Sequence, residues 1–287
     1  MGIIGGWNPI EIGIDPEIGR LGGLLLTWHG VFTAIGIAVG VWVAVQFGKR
    51  VGFIEDVSYT VALIVVPAGI IGARALYVIE NRELFGGGDW PDIFRINEGG
   101  ISIYGALIGG VLGGLAYGLW KRLPIGAGLD AAAFGAILGQ GIGRIGDVIN
   151  GEHFARTTDL PFGVVYTHSN SPSFARDPQH PAVAYEMIGD ALIFLALLGL
   201  RRVYKKDGLL FFSYAFLYSL MRLGVSALRL DKEILWEFKM AQVVALAVIV
   251  ISVAGFAFFL SRPAPPAREA VPAPVPAPAP GGARARR

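Results

Sequence analysis

Residues 131–152 read AAAFGAILGQGIGRIGDVINGE, and in this stretch an apolar segment ends in charge. Its last ten residues, GRIGDVINGE at 143–152, bring Arg144, Asp147 and Glu152 to the end of the apolar run. A charged side chain at hydrocarbon depth costs several kcal/mol, so such residues usually serve a functional site. The stretch therefore indicates a membrane fold and the place in that fold where function is to be sought.

The composition of the whole chain supports a membrane protein. Hydrophobic residues make up 54% of the 287 residues and charged residues only 16%, against about 25% charged residues in soluble domains. The chain has no cysteine, which excludes a disulfide framework, a thiolate metal site and a cysteine nucleophile. A net charge of +2 gives no indication of nucleic acid, and no such partner is expected. Residues 1–23 carry Glu11, Asp15 and Glu17, the wrong charge for a cleavable signal peptide, so none is predicted.

Seven segments have about the 20 apolar residues that a transmembrane helix needs. They lie at 24–47, 57–79, 100–120, 124–148, 182–200, 209–228 and 240–260. We therefore predict an all-α integral membrane protein, with seven transmembrane helices in one domain at 1–261. Residues 262–287 are rich in Pro and Ala and end in RARR, which predicts a disordered tail attracted to anionic headgroups. An unselected solvated tail is the alternative.

The basic residues between the spans predict the orientation of the chain. Lys and Arg residues at 49–50, 121–122, 201–206 and from 262 onward all fall on one side of the membrane. Because cytoplasmic loops carry the excess of Lys and Arg, that side is predicted to be cytoplasmic. The N-terminus then lies outside and the C-terminus lies in the cytoplasm.

This orientation places nearly every ionisable side chain of the spans in the outer half of the bilayer. The group comprises His29, Arg74, Tyr104, Arg144, Asp147, Glu152, Tyr185, Glu186, Asp190, Arg222 and Arg229. We predict that they line one polar chamber that opens toward the outer leaflet. A guanidinium matches phosphate with two parallel donors, so arginines at headgroup depth indicate an anionic phospholipid head as the ligand.

Several of these residues also have simpler interpretations. Gly99, Gly100 and the glycines of the third span let a backbone approach a lipid head, but glycine equally serves helix packing. Arg74 could pair with Glu186 or Asp190 instead of a ligand. Arg222 could be a snorkelling residue at a helix end.

The stretch at 143–152 resembles the signature of the prolipoprotein diacylglyceryl transferase family, Gly-Arg-x-Gly-Asn-x-x-Asn-x-Glu. Further matches to family motifs are HPAVAYE at 180–186, GGISIYGALIGG at 99–110, IGARALY at 71–77, LPFG at 160–163, and WHG at 28–30, where the family has Trp-Tyr-Gly. The signature together with the HPxxxYE motif is specific, whereas a lone glycine repeat would not be.

The resemblance implies an enzyme of lipoprotein biosynthesis in the bacterial inner membrane. It would transfer the diacylglyceryl group of phosphatidylglycerol to the lipobox cysteine thiol in the signal peptide of a preprolipoprotein, releasing glycerol 1-phosphate. The family uses neither metal nor cofactor, and its fold has seven transmembrane helices with the active site toward the outer leaflet.

The resemblance, together with the charged residues of the chamber, gives the candidate site residues. Catalytic roles are expected for His29, Tyr104, Arg144, Asp147, Glu152 and Arg222. Binding of the phosphatidylglycerol head is expected for Arg74, Gly99, Gly100, Arg144, Asn150, Arg222 and Arg229. Arg144 would hold the lipid phosphate, and His29, Asp147 and Glu152 are the candidates for the base that deprotonates the thiol.

The chain departs from the family pattern within the site. The departures are Asp147 for Asn, Ala155 for Gly, His29 for Tyr, Tyr104 for the frequent His, and Ser226 for a frequent Glu. We hypothesise that His29 and Tyr104 exchange the roles of the family's Tyr and His, the alternative being that His29 only donates a hydrogen bond. Asp147 would repel a phosphate unless it is paired, so we predict a bond from Asp147 to Arg144 or Arg74.

Three other functions are considered. An anion or lipid transporter would need a polar path into the cytoplasmic half, which spans one, three and seven hardly provide. A family paralogue could bind anionic phospholipid without the transfer step. An aspartyl intramembrane protease would use Asp147 and Asp190 as its dyad, although the neighbouring arginines favour ionisation of both carboxylates over a shared proton.

Overall fold

The computed structural model of the chain describes residues 8–22, 24–50, 52–85, 90–94, 99–235 and 238–263. From residue 264 onward, the predicted disordered tail lies outside these ranges.

Within the described ranges, seven helices of 18 to 26 residues are long and apolar enough to cross a membrane. They are α1 (Trp28–Arg50), α2 (Glu55–Glu80), α3 (Ile103–Trp120), α4 (Ile125–Asn150), α5 (Ala182–Leu200), α6 (Leu209–Leu228) and α7 (Met240–Ser261). The predicted number of spans is therefore confirmed, and α5 and α6 have the predicted bounds.

The connections contain short strands that an all-α prediction leaves out. They are β1 (Ile10–Ile12), β2 (Glu17–Leu21), β3 (Leu24–Thr27), β4 (Val164–Tyr166), β5 (Glu233–Leu235) and β6 (Phe238–Lys239). β1 pairs in parallel with β4, and the hairpins β2–β3 and β5–β6 are antiparallel. The prediction that the first span begins at residue 24 is wrong, because Leu24–Thr27 pairs with β2 before α1 begins.

The third span also begins later than predicted. Gly99 and Gly100 have φ angles of +89° and +72°, which is a left-handed conformation that a helix does not contain. Helix α3 therefore begins at Ile103 rather than at Gly100.

Glycine allows two helix pairs to pack backbone against backbone. A Cβ atom added to Gly36 of α1 would lie 2.5 Å from the carbonyl oxygen of Gly139 in α4. A Cβ atom added to Gly72 of α2 would lie 2.4 Å from the carbonyl oxygen of Gly105 in α3. Small residues allow this close approach in membrane helices, where van der Waals packing replaces the hydrophobic effect. Helix packing is thus the role of Gly105.

Helix α4 is the most enclosed of the seven helices. In its most apolar window 44% of the residues are buried, against 11–28% for the others. Phe134 and Ile137 of α4 form the core with Val43 of α1 and Leu197 of α5, and Phe47 stacks on Phe134 at 3.8 Å. The middle of α4 is therefore enclosed by α1 and α5.

One buried acid lies at the opposite end of α4. Asp130 accepts hydrogen bonds from the backbone N–H groups of Gly208 at 2.8 Å and Phe211 at 2.9 Å. The first N–H groups of a helix have no partner within it, so Asp130 caps the start of α6. This role explains why Asp130 is an exception to the clustering of ionisable residues at the other end.

Candidate active site

The end of α4 brings Arg144 and Asp147 against α1. Gly146 makes this possible, because a Cβ atom there would lie 2.6 Å from the Cα atom of His29 and 2.7 Å from the carbonyl oxygen of Trp28. Arg144 and Asp147 are three residues apart on one face of α4, and Arg144 Nη1 donates to Asp147 Oδ2 at 2.7 Å. The predicted pairing of Asp147 with an arginine is confirmed, and the partner is Arg144.

Asp147 also contacts two histidines. Its Oδ1 atom is bonded to Nδ1 of His29, and its Oδ2 atom lies 3.4 Å from Nε2 of His153. The carboxylate is nearly buried, at 5% exposure, whereas the His29 side chain is 45% exposed. Since the carboxylate binds Nδ1, Nε2 is the nitrogen of His29 that remains for a substrate.

Glu186 of α5 is the centre of a cluster of three arginines. The residue is 0% exposed. Its Oε1 atom accepts a hydrogen bond from Arg222 and lies 3.5 Å from Nη1 of Arg229, both of which come from the end of α6. Its Oε2 atom lies 2.6 Å from Nη2 of Arg144, an ion pair whose angle is outside the range of a hydrogen bond. One carboxylate therefore holds guanidinium groups from two helices.

His153 and Arg229 complete a closed network. Arg229 Nη2 lies 3.0 Å from His153 Nδ1, and its Nε and Nη2 atoms donate to Asp231 at 2.9 and 3.1 Å. His153 contacts Asp147 through its other nitrogen. The contacts thus run from Asp147 through His153, Arg229, Glu186 and Arg144 back to Asp147, and we call these five residues the ion-pair ring.

Tyr104 and Arg222 lie beside this ring. Tyr104 is in the first turn of α3, which begins at the end of the bundle where α6 ends and Arg229 lies. The Arg222 side chain is 15% exposed and the Arg144 side chain 18% exposed, so neither is fully enclosed.

Two of the predicted site residues bond to each other. Asn150, at the last position of α4, donates from its side chain to Glu152 Oε1 at 2.7 Å. Asn150 is buried, whereas Glu152 is exposed, which places the carboxylate of Glu152 at the rim of the site.

Arg74 forms a cluster of its own with the glycines at 99–100. Its guanidinium donates to the backbone carbonyl oxygens of Ile93 at 2.7 Å, Gly99 at 2.9 Å and Gly100 at 2.6 Å. A Cβ atom at Gly100 would lie 2.8 Å from Arg74 Nη1. These contacts fix the segment that leads into α3.

Donors from the connection between α4 and α5 hold the end of α4. Tyr166 donates to the carbonyl oxygen of Val148 at 2.8 Å, Ser171 to that of Asn150 at 2.9 Å, and Ser173 to that of Gly151 at 2.6 Å. The last carbonyl groups of a helix need such partners. Burial raises the pKa of Tyr166 to about 12, which keeps its hydroxyl protonated as a donor.

Lys239 has the same function at the end of α6. Its Nζ atom donates to the carbonyl oxygen of Ser226 at 2.8 Å and also contacts that of Arg229. Lys239 is buried, at 7% exposure. The ammonium group therefore binds the carbonyl end of the helix that carries Arg222.

The sequence prediction missed several members of the site. Glu186 is among the residues predicted to line the chamber, but the sequence assigns it no catalytic or binding role, and the predicted site does not include His153, Asp231 or Lys239. The position of His153 directly after the signature was a signal for its proximity, whereas the contact of Lys239 with the end of α6 had none. Within the described ranges, no group of three His, Asp or Glu side chains is placed to hold a metal ion.

The chain is similar to known proteins over most of its length. The model of a family described as prolipoprotein diacylglyceryl transferase matches residues 16–258. The phosphatidylglycerol–prolipoprotein diacylglyceryl transferase of Clostridioides difficile (strain 630) is 35% identical over 228 residues, which cover 79% of this chain and 88% of that protein. Proteins of the same name from Bacillus mycoides (strain KBAB4) and Oceanobacillus iheyensis are 33% and 30% identical, over 84% of this chain and 92% and 86% of their own lengths. The chain belongs to the prolipoprotein diacylglyceryl transferase family.

Proposed function

We propose that this chain transfers the diacylglyceryl group of phosphatidylglycerol to the lipobox cysteine thiol of a preprolipoprotein signal peptide. The observation that carries the proposal is the arrangement of Arg144, Arg222 and Arg229 around the buried Glu186, next to a His29–Asp147 pair. This arrangement offers cations for a phosphate and a base for a thiol within one site.

The reaction makes one bond and breaks one bond. The cysteine sulfur forms a bond to C3 of the glyceryl group, and the bond from C3 to the phosphate oxygen breaks. The thiol proton leaves to a base, and the phosphate departs as glycerol 1-phosphate. The site must therefore stabilise the charge that develops on the leaving phosphate and must generate a thiolate.

Arg144 and Arg222 are proposed to bind the phosphate. A guanidinium has five N–H donors, and the hydrogen bond described for Arg222 uses one of them, to Glu186. Glu186 keeps the cations close together against their mutual repulsion, so that they are in position before the lipid arrives. Preorganised donors of this kind stabilise developing charge without a cost of reorganisation during the reaction.

His29 is proposed as the base, oriented by Asp147. The carboxylate binds Nδ1 and thereby presents Nε2 to the site, the same geometry by which a carboxylate orients a catalytic imidazole in a triad. Tyr104, near Arg222 and Arg229, would donate its hydroxyl to the phosphate. This assignment extends the hypothesis that His29 and Tyr104 exchange roles. It would also explain why the chain has Asp147 where the family has Asn, because Asp147 orients His29.

The remaining candidates have supporting roles in this proposal. Asn150 and Glu152 shape the rim of the site, and Arg74 holds Gly99 and Gly100 where a headgroup passes.

We further propose the orientation and location that the loop charges indicate. The N-terminus lies outside, the C-terminus lies in the cytoplasm, and the site faces the outer leaflet of the bacterial inner membrane. Residues 1–261 would form the transferase domain and 262–287 a separate tail. The support is that the ion-pair ring and the Lys/Arg connections lie at opposite ends of the helices.

The test is a transfer assay on the purified chain. It uses phosphatidylglycerol vesicles and a synthetic lipobox peptide, and the mass gain of the peptide is measured. We expect modification by the wild type, a loss of at least 100-fold in Arg222→Gln on the scale of a lost electrostatic donor, and no loss in the exposed control Arg82→Gln. An unmodified peptide with the wild-type chain would refute the proposal.

The role of His29 has its own test. His29→Phe should lower the rate by about 100-fold or more, on the scale of general base catalysis, while Tyr104→Phe should mainly weaken binding of the lipid. Full activity in His29→Phe would rule out the exchange of roles.

The alternatives predict different results in the same assay. A lipid-binding paralogue would bind the vesicles but leave the peptide unmodified, and a transporter would move lipid without a peptide. A protease with Asp147 and Asp190 is disfavoured, since the partners of Asp147 described above are Arg144 and two histidines rather than a second carboxyl group.

A further inference from the structure

A second lipid-facing feature lies at the opposite end of the bundle from the candidate active site. A cleft of about 450 Å³ opens between the end of α5, the first half of α6 and the last half of α7. Its walls include Leu200, Tyr204, Phe212, Phe216, Phe256 and Leu260. Leu200 follows Glu186 by 14 residues on α5, so the cleft lies about 21 Å from the centre of the arginine cluster at 1.5 Å per helical residue.

The walls of this cleft are apolar, and the cleft is open to the surroundings of the bundle. Val253 and Leu260, both on α7, are 55% and 50% exposed although they line it. Tyr204 packs edge-on against Phe256 at 5.8 Å and closes one side. The volume is within the range of about 300–1,000 Å³ that is usual for ligand sites. An apolar cleft on the membrane-facing surface of a helix bundle has the right chemistry for an acyl chain.

The mouth of the cleft carries positive charge. The connection that follows α5 contains Arg202 and Lys205, both exposed, and Lys206. Lys206 Nζ is bonded to the carbonyl oxygen of Leu260, a residue of the cleft wall, which holds this connection against the end of α7. Lys206 is thus fixed beside the opening, and Arg202 and Lys205 belong to the same short connection, in which Tyr204 lines the cleft.

The connection at 201–208, RRVYKKDG, carries four cations and one acid, Asp207. Asp130 is bonded to the first N–H groups of α6. Basic pockets between transmembrane helices bind the headgroups of anionic lipids.

We infer that this cleft binds an anionic phospholipid, with one acyl chain between α5, α6 and α7 and the headgroup phosphate at Arg202 and Lys205. The site is separate from the transfer site and does not depend on the proposed reaction. Its occupant is a lipid of the leaflet opposite to the one that supplies the substrate.

Native mass spectrometry of the full chain in detergent micelles tests this inference. The probes are dioleoyl phosphatidylserine and dioleoyl phosphatidylcholine, which have the same acyl chains and differ in net charge. We expect the wild type to retain one more molecule of phosphatidylserine than of phosphatidylcholine through this site. The double variant Arg202→Gln/Lys205→Gln should bind that molecule at least tenfold more weakly.

Two matched controls make the test specific. Lys121→Gln/Arg122→Gln removes two cations from the same end of the bundle, in the connection between α3 and α4, and should keep the extra phosphatidylserine. Ala257→Phe fills the cleft and should lose this lipid, whereas Ala254→Phe, exposed on the same helix outside the cleft, should retain it.

Equal losses in the variants and their controls, or no loss in either, would overturn the inference. Peptide modification by all four variants should stay at the wild-type rate, so failure of this site and failure of the transferase function are distinguishable.

Discussion

Replacement of Glu186 by Gln is the most direct perturbation of the ion-pair ring. The carboxylate is 0% exposed and holds Arg144, Arg222 and Arg229. Removing one partner of a buried ion pair costs about 3–5 kcal/mol, because the remaining charge stays desolvated without compensation. Arg144 retains Asp147, and Arg229 retains Asp231. The stabilisation lost is therefore that of Arg222 above all, and we expect the lower end of the range, about 3 kcal/mol.

The free energy of unfolding in mixed detergent micelles measures this loss. A loss of about 3 kcal/mol corresponds to a change of roughly 100-fold in the ratio of folded to unfolded protein, at 1.4 kcal/mol per factor of ten. Glu186→Asp keeps the charge with a shorter reach and should be intermediate. Glu83→Gln, at an exposed acid, should change the free energy of unfolding by less than about 0.5 kcal/mol.

The same variant has a consequence for binding. Without Glu186, the guanidinium groups of the three arginines repel one another and move apart. The KM for phosphatidylglycerol should therefore rise. If Glu186→Gln has the same free energy of unfolding as Glu83→Gln and keeps the wild-type KM, other contacts position the arginines. The role given to Glu186 would then be wrong.

Three further predictions concern the supports of the site. Gly146→Ala should abolish transfer and lower stability, because its Cβ atom would lie 2.6 Å from His29 Cα; folded, fully active protein in a thermal scan and peptide assay would contradict this. Lys239→Met should lower kcat by displacing the end of α6 while Lys239→Arg restores it, and equal rates in both variants would exclude a role for the cation. Tyr166→Phe should cost about 1 kcal/mol, the usual contribution of one hydrogen bond, and since the pKa of Tyr166 is about 12 this difference should be constant from pH 6 to pH 9 in denaturant titrations.

The seven spans were predictable because each is long and apolar enough to be recognised by itself. The bounds of α5 and α6 agree with the apolar runs, since Pro181 and Arg201 flank α5 and Gly208 and Arg229 flank α6. The strands were not predictable in the same way. β1 and β4 are only three residues each, and their parallel pairing joins residues about 150 positions apart, so no local pattern indicates it.

The sequence indicates the location of the candidate site better than it indicates the hydrogen bonds and ion pairs within it. The sequence indicates that Arg144, Asp147 and Arg222 meet at one end of the bundle, because helix direction follows from the loop charges. It does not indicate that Glu186 contacts three arginines, which requires α4, α5 and α6 to converge at one depth. The hydrogen bonds of Arg74 to the carbonyl oxygens of Gly99 and Gly100, in the segment before α3, are likewise not indicated by any local pattern.

The odd number of helices has an electrostatic consequence for the site. Helices α1, α3, α5 and α7 begin at the end of the bundle that holds the arginine cluster, whereas α2, α4 and α6 end there. Each helix start carries about +0.5 elementary charge and each helix end about −0.5, so the starts exceed the ends by one. The negative ends of α4 and α6 are moreover covered by Tyr166, Ser171 and Ser173 and by Lys239. The peptide dipoles of the fold therefore favour a phosphate at this end even before any side chain contributes, and they disfavour one at the other end, where the loops supply Lys and Arg in compensation.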